Sequence, residues 1–254
     1  MNKPNAPRLK MPSLLKLAID NLHLSKQPSA VTQGDEITIY VHGVISKSWG
    51  DVDTQEFAQT LANSTARTLH LRINSPGGDV FDARSMMTAI SQFNGKTIAH
   101  IDGVAASAAT AICMACNEVE IAQGANFMIH NAWTLAMGNK ADMAKAMQLL
   151  EKTDEGLVED YARRSGQPKD TIRQWMDDET WFSADEALNY RFADRVVEVV
   201  DDAKGQRTWD LSAYSHAPPN LTVNTSKEEE ISRDIMNQMQ ARERRLKLLQ
   251  TYQP

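Results

Sequence analysis

Three short apolar runs, ITIYVHG (37–43), LHLRIN (69–74) and TIAHI (97–101), alternate with stretches of helical periodicity, and each run stops at a turn. Their length and β-branched content mark them as strands. Between the first two, Asp53 and Glu56 stand at capping-box spacing before a helix that contains Phe57 and Leu61. After the second, a glycine turn at 77–78 leads into a helix from about Asp82 to Phe93, and after the third a Gly103 turn leads into the alanine-rich AASAATAICMA. Strand, turn and helix repeated in this order predict an α/β fold. The simplest version is a parallel sheet covered by helices, with right-handed crossovers.

VEIA and ANFMIHNA add two extended segments. The longest helical pattern runs from Asn139 to Arg164, with Met143, Met147, Leu150, Leu157 and Tyr161 near one face; such a stripe packs on a core or on another subunit. Ser183 and Glu186 form a second capping box, which predicts a short helix and then a strand over 195–199. The compact domain is therefore 34–200. Residues 1–33 read as an arm broken by Pro4, Pro7 and Pro12, with a short amphipathic helix over 14–24. Residues 201–226, polar and containing Pro218 and Pro219, read as a linker. A third capping box, Ser226 with Glu229, starts an amphipathic helix over 227–250, acidic at its start and basic toward its end.

Composition narrows the function. With 27 Lys and Arg against 33 Asp and Glu, the net charge of −6 disfavours binding to a nucleic-acid backbone. The arm is too interrupted to cross a bilayer and carries no cleavage signature, so a cytoplasmic protein is expected. Cys113 and Cys116 read as small buried side chains, because nothing beside them would lower a thiol pKa. The six histidines are scattered without zinc-ligand spacing, and neither a phosphate-binding P-loop nor a full dinucleotide fingerprint is present. No cofactor and no metal are expected.

The chemistry concentrates at three strand ends, RINSPGG, DGVAASAAT and MIHNA. In a parallel sheet these ends lie on one edge, where residues distant in sequence converge. Ser107 opens a helix among Ala105, Ala106, Ala108 and Ala109, small neighbours that let a substrate approach its hydroxyl. A serine needs a base within hydrogen-bond reach, and His130 is the histidine whose turn follows most closely. An oxyanion formed by attack on a carbonyl needs donors, which the N–H groups of Gly78 and Ala108 offer. A side chain at Gly78 is accordingly expected to intrude where that oxygen sits. Asp177, Asp178 and Glu179 precede Ser183, and their chemistry alone lets any of the three serve His130.

LRINSPGGDVFDA, IDGVAASAAT, NFMIHNA and ETWFSADEALNYRFADRV, in this order over about residues 35–200, resemble the ClpP family of serine peptidases. With the C-terminal helical tail, the chain is most similar to the phage and prophage head maturation branch. The resemblance implies a spiral of strand and helix units related to the crotonases, and a homo-oligomeric ring. It implies Ser107 as nucleophile, His130 as base, Glu179 as acid, and Gly78 and Ala108 as oxyanion donors. Residues 139–161 correspond to the long helix that forms the contact between rings. The substrates it implies are capsid, scaffold or assembly proteins, met in the host cytoplasm at a procapsid.

The chain departs from the family pattern in three ways. The acid is normally Asp where Glu179 stands, which leaves Asp178 and Asp177 as alternatives. The Gln-Pro that normally follows the base is Asn131-Ala132, and the Met that normally follows the nucleophile is Ala108. Other functions stay open at this level. They are a housekeeping ClpP-like protease fed by an ATPase, a non-catalytic ring-forming assembly factor, and a crotonase-like acyl-CoA enzyme that needs neither Ser107 nor His130.

Overall fold

A computed structural model of the chain describes residue 21 and residues 30–47, 52–134, 136–198 and 209–218. The expected helices over 14–24, Asn21 excepted, and over 227–250 lie outside the described residues. The elements run in the order β1 (Ala30–Gln33), β2 (Glu36–His42), α1 (Thr54–Ala62), β3 (Thr68–Ser75), α2 (Val80–Ser91), β4 (Lys96–Ala106), α3 (Ala108–Met114), β5 (Glu118–Ala122), β6 (Asn126–Ile129), α4 (Lys140–Ser165), α5 (Lys169–Asp177), β7 (Thr180–Ser183), α6 (Ala184–Asn189) and β8 (Arg195–Val197).

The eight strands form one sheet in the order β1-β2-β3-β4-β5-β8, with β6 paired to β4 and to β7. From β2 to β8 the pairings along this path are parallel, as the strand and helix alternation predicts. Two antiparallel pairs, β1 with β2 and β6 with β7, extend it. Residues 30–33, which composition places in the arm, are thus an edge strand. β4 is long because it serves two neighbours: Ile98 to Ile101 pair with β5, and Val104 to Ala106 pair with β6. That fork brings the ends of β4 and β6, and with them Ser107 and His130, side by side.

Alternation decides which face is buried. Ile37, Ile39, Val41, Leu69, Leu71, Ile73, Ala99, Ile101, Val119 and Ile121 are each no more than 3% exposed and face α1 to α4. Each Leu or Ile so buried contributes about 1.5–3 kcal/mol. The opposite face carries charge: Arg72 is paired with Asp102, His70 is stacked on His100, and Glu120 is held by His100 and Arg195. Parallel sheets are ordinarily covered on both faces. Of the described residues, those that cover part of this second face belong to the segment read as a linker. Trp209 and Leu211 are buried against Val104, Ala106 and Met128, with Ala213, Tyr214 and Ala217 beside them. Its polar composition hid two buried apolar anchors, Trp209 and Leu211, too few to set either period.

Of the expected capping boxes, Ser183–Glu186 forms in full, Asp53 acts as an N-cap, and Ser226–Glu229 lies outside the described residues. Asp53 accepts from the N–H groups of Gln55 and Glu56, and Ser183 with Glu186 makes a reciprocal box. Asn139 also forms one, with Asp142. α4 packs on the core only through its C-terminal half, where Leu157, Val158 and Tyr161 are buried, whereas Met143, Met147 and Leu149 remain exposed.

Candidate active site

β3 ends in the turn Pro76-Gly77-Gly78, which is locked from both sides. Ser75 Oγ donates to Gly43 O at 2.6 Å and accepts from Gly77 N at 3.1 Å. Ile45 N donates to Gly77 O at 2.9 Å, and Asp79 N donates to Ile45 O at 2.7 Å. This pairing skips the N–H of Gly78. Both glycines have positive φ, 95° and 155°. A Cβ on Gly77 would lie 2.8 Å from Ser107 Cβ and 3.2 Å from Ala108 N, so the turn abuts the start of α3. A Cβ on Gly78 would instead lie 2.0 Å from Ile45 O. The expected intrusion of a Gly78 side chain toward the substrate oxygen is therefore corrected: that direction is filled by the backbone of residue 45.

Ser107 stands between β4 and α3 with φ 55° and ψ −124°, a strained conformation for a residue with a side chain. Surrounding bonds hold it there. Its N–H donates to Met128 O at 2.9 Å, and its carbonyl accepts from Thr110 N at 2.9 Å and from Thr110 Oγ1. Thr110 Oγ1 also meets the Tyr161 hydroxyl at 2.6 Å, which ties the turn to α4. Ala108 is the first residue of α3, so its N–H has no acceptor inside the helix.

His130 follows β6 and places Nε2 2.7 Å from Ser107 Oγ. Burial pulls the imidazole down to about 4, and the Glu179 carboxylate opposes part of that shift. At neutral pH the ring is uncharged, and the bond is a serine O–H donated to Nε2. The loop beyond it is pinned by Asp154 on α4, whose Oδ1 accepts from Ala132 N at 2.6 Å.

The three candidate acids separate in space. Asp177 accepts from Asn131 Nδ2 at 2.7 Å, and Asp178 from Gln174 Nε2 at 2.8 Å. Glu179, at φ 49°, precedes β7, and the pairing of Ile129 with Thr180 sets it opposite His130 in the antiparallel register. Its two oxygens accept from Ser215 N at 2.9 Å and His216 N at 2.6 Å. Among the described residues no hydrogen bond joins Glu179 to His130.

Tyr214 is a site residue that the sequence reading missed. Its ring stands edge-on to His130 with centroids 5.3 Å apart, and its hydroxyl donates to Pro76 O. Burial pushes the phenol above its ordinary value. A lone tyrosine in a polar stretch gives no sequence signal for such a place. Cys113 and Cys116 are buried, and burial pushes the Cys116 thiol up to about 12. Among the described residues, no three His, Cys, Asp or Glu side chains converge to hold a metal ion, and no helix is long and apolar enough to cross a membrane.

Comparison with known proteins gives a consistent match. A family model described as Clp protease matches residues 29–200. The chain is 28% identical over 162 residues to the ATP-dependent Clp protease proteolytic subunit 3 of Rhodococcus jostii, a stretch that covers 63% of this chain and 80% of that protein. It is 28% identical over 140 residues to the ATP-dependent Clp protease proteolytic subunit of Streptococcus salivarius, covering 54% and 71% respectively. The corresponding subunit of Streptococcus pneumoniae is 28% identical over 145 residues.

Proposed function

The chain belongs to the Clp protease family, and on that premise we propose that it is a serine endopeptidase in which Ser107 is the nucleophile. The observation that carries this reading is the 2.7 Å bond between Ser107 Oγ and His130 Nε2, made at a strained turn. Ser107 Oγ attacks the substrate carbonyl while His130 takes its proton and passes it to the leaving amine. Gly78 and Ala108 hold the oxyanion, and water then releases the acyl group. Glu179 stabilises the imidazolium that forms during attack.

The acid assignment has its own test. Because His130 ionises at about 4, kcat/KM on a short peptide stays flat from neutrality to about pH 5 and falls only as the base protonates below that. Glu179→Gln removes the charge that holds this value up, so the acid limb moves lower still and turnover drops about tenfold or more. Asp177→Asn and Asp178→Asn have smaller effects. A larger loss at Asp178 would move the role one residue earlier, and three near-neutral variants would leave a Ser-His dyad.

The proposed biological role is processing of phage capsid, scaffold or assembly proteins by a homo-oligomeric ring. The exposed Met143, Met147 and Leu149 on α4 and the charged open sheet face support association between subunits. A second reading, a housekeeping protease served by an ATPase, is favoured by the names of the relatives, each an ATP-dependent proteolytic subunit. Coexpression with candidate capsid proteins separates them, read by light scattering on the purified enzyme and by intact mass of the products. Site-specific capsid cleavage by a closed oligomer is expected without ATP. A monomer, or cleavage only with an added ATPase, would remove the first reading.

A further inference from the structure

One stretch of nine residues, 209–217, contacts two of the groups assigned to catalysis, His130 and Glu179. Its anchor is apolar: Trp209 and Leu211, 3% and 1% exposed, sit on Val104, Ala106 and Met128, on the strands that lead into Ser107 and His130. Trp209 Nε1 donates to Asn74 Oδ1 at 2.8 Å. The Asn21 amide pairs with the main chain of the next residue, donating to Asp210 O at 3.1 Å and accepting from Asp210 N at 2.9 Å. From this anchor the chain crosses the site. Tyr214 stands against His130 and donates to Pro76 O in the glycine turn, and the N–H groups of Ser215 and His216 take both oxygens of Glu179.

We propose that the space beside Ser107 is a cleft for a peptide segment bearing aromatic and aliphatic side chains, and that residues 209–217 fill it in cis and hold the enzyme capped. The inference rests on the reading of Ser107 as nucleophile. The cap acts in two ways. The Tyr214 ring occupies space next to the nucleophile and its base. The Glu179 carboxylate, committed to two backbone amides, does not serve His130 Nδ1. Displacement of the segment relieves both at once, so every substrate competes with an intramolecular ligand at high effective concentration. The spacing Trp209, Leu211, Tyr214 describes the side chains such a competitor carries.

The test measures the rate at which a fluorophosphonate labels Ser107 in the full-length chain, wild type against a Trp209→Ala, Leu211→Ala double variant, with circular dichroism as the check on folding. Loosening the anchor is expected to speed labelling about tenfold or more. Excess synthetic peptide WDLSAYSHA restores the slow rate, whereas the same peptide with its Trp and Tyr replaced by Ala does not. Tyr214→Ala, which leaves the anchor intact and removes only the ring, serves if the double variant misfolds, and it too should label faster. Equal or slower labelling of the folded variants would overturn the cap while leaving the nucleophile in place. No labelling of Ser107 in any of the proteins would remove the nucleophile reading and this inference with it.

Discussion

Ser107→Ala lowers peptidase turnover by roughly a thousandfold or more and leaves the fold intact. The two halves of this expectation have separate physical grounds. Turnover collapses because the alanine has no oxygen to form the acyl-enzyme, and what remains is the modest assistance that oriented N–H groups give to direct attack by water. The fold survives because the hydroxyl is not what holds residue 107 at φ 55°. That conformation is held by main-chain bonds to Met128 and Thr110, and alanine keeps them all. The substitution also relieves His130 of a partner without stranding a charge, since the buried imidazole is neutral at working pH. Hydrolysis of a short fluorogenic peptide, measured beside a thermal melt, checks both halves. Turnover near the wild-type rate in a contaminant-free preparation would sink the assignment.

The second large effect falls on stability. Gly78→Val should melt on the order of 10 °C below wild type, and the loss of activity should follow the loss of folded protein. The side chain meets main chain, with Ile45 O 2.0 Å and Ile45 N and C 2.7 Å from the added Cβ, so no rotamer change can relieve the clash. Overpacking and an unfavourable backbone conformation together cost about 2–6 kcal/mol. Because Ile45 and the turn exchange two hydrogen bonds, moving one strand away from the other also displaces Gly77 from its place against Ser107. A melting temperature within a degree of wild type, with activity lost, would restore the view that residue 78 matters only to the oxyanion.

Several elements were legible because their cause is local. Ile37, Ile39 and Val41 alternate with polar neighbours, and Ser183 reaches Glu186 three residues on, so strand and cap are each written within a few positions. Other elements were not. α5 is short and begins after Pro168 with no side-chain cap, and β1 and β7 are four residues each. These strands exist because β2 and β6 offer them an edge, a property of the partner and not of their own sequence.

The candidate site divides the same way. Strand ends that carry a glycine turn, a serine among alanines and a histidine follow from the sequence, since a parallel sheet gathers such ends on one edge. Which carboxylate faces the base did not follow. Asp177, Asp178 and Glu179 are adjacent and chemically alike; the resemblance favours Glu179, and the register of β7 on β6 sets that residue opposite His130. The seating of Tyr214 on His130, a contact between residues 130 and 214, was equally invisible. The amino-acid sequence by itself determined the alternation of strands and helices, the turns and the caps, because hydrophobic period and short-range hydrogen bonding act over a few residues. Only the tertiary structure decided the Ser107 to His130 bond, the carboxylate residue opposite His130 and the segment laid across them. Contacts between such distant parts of the chain depend on register and packing summed over the whole sheet, which no local pattern encodes.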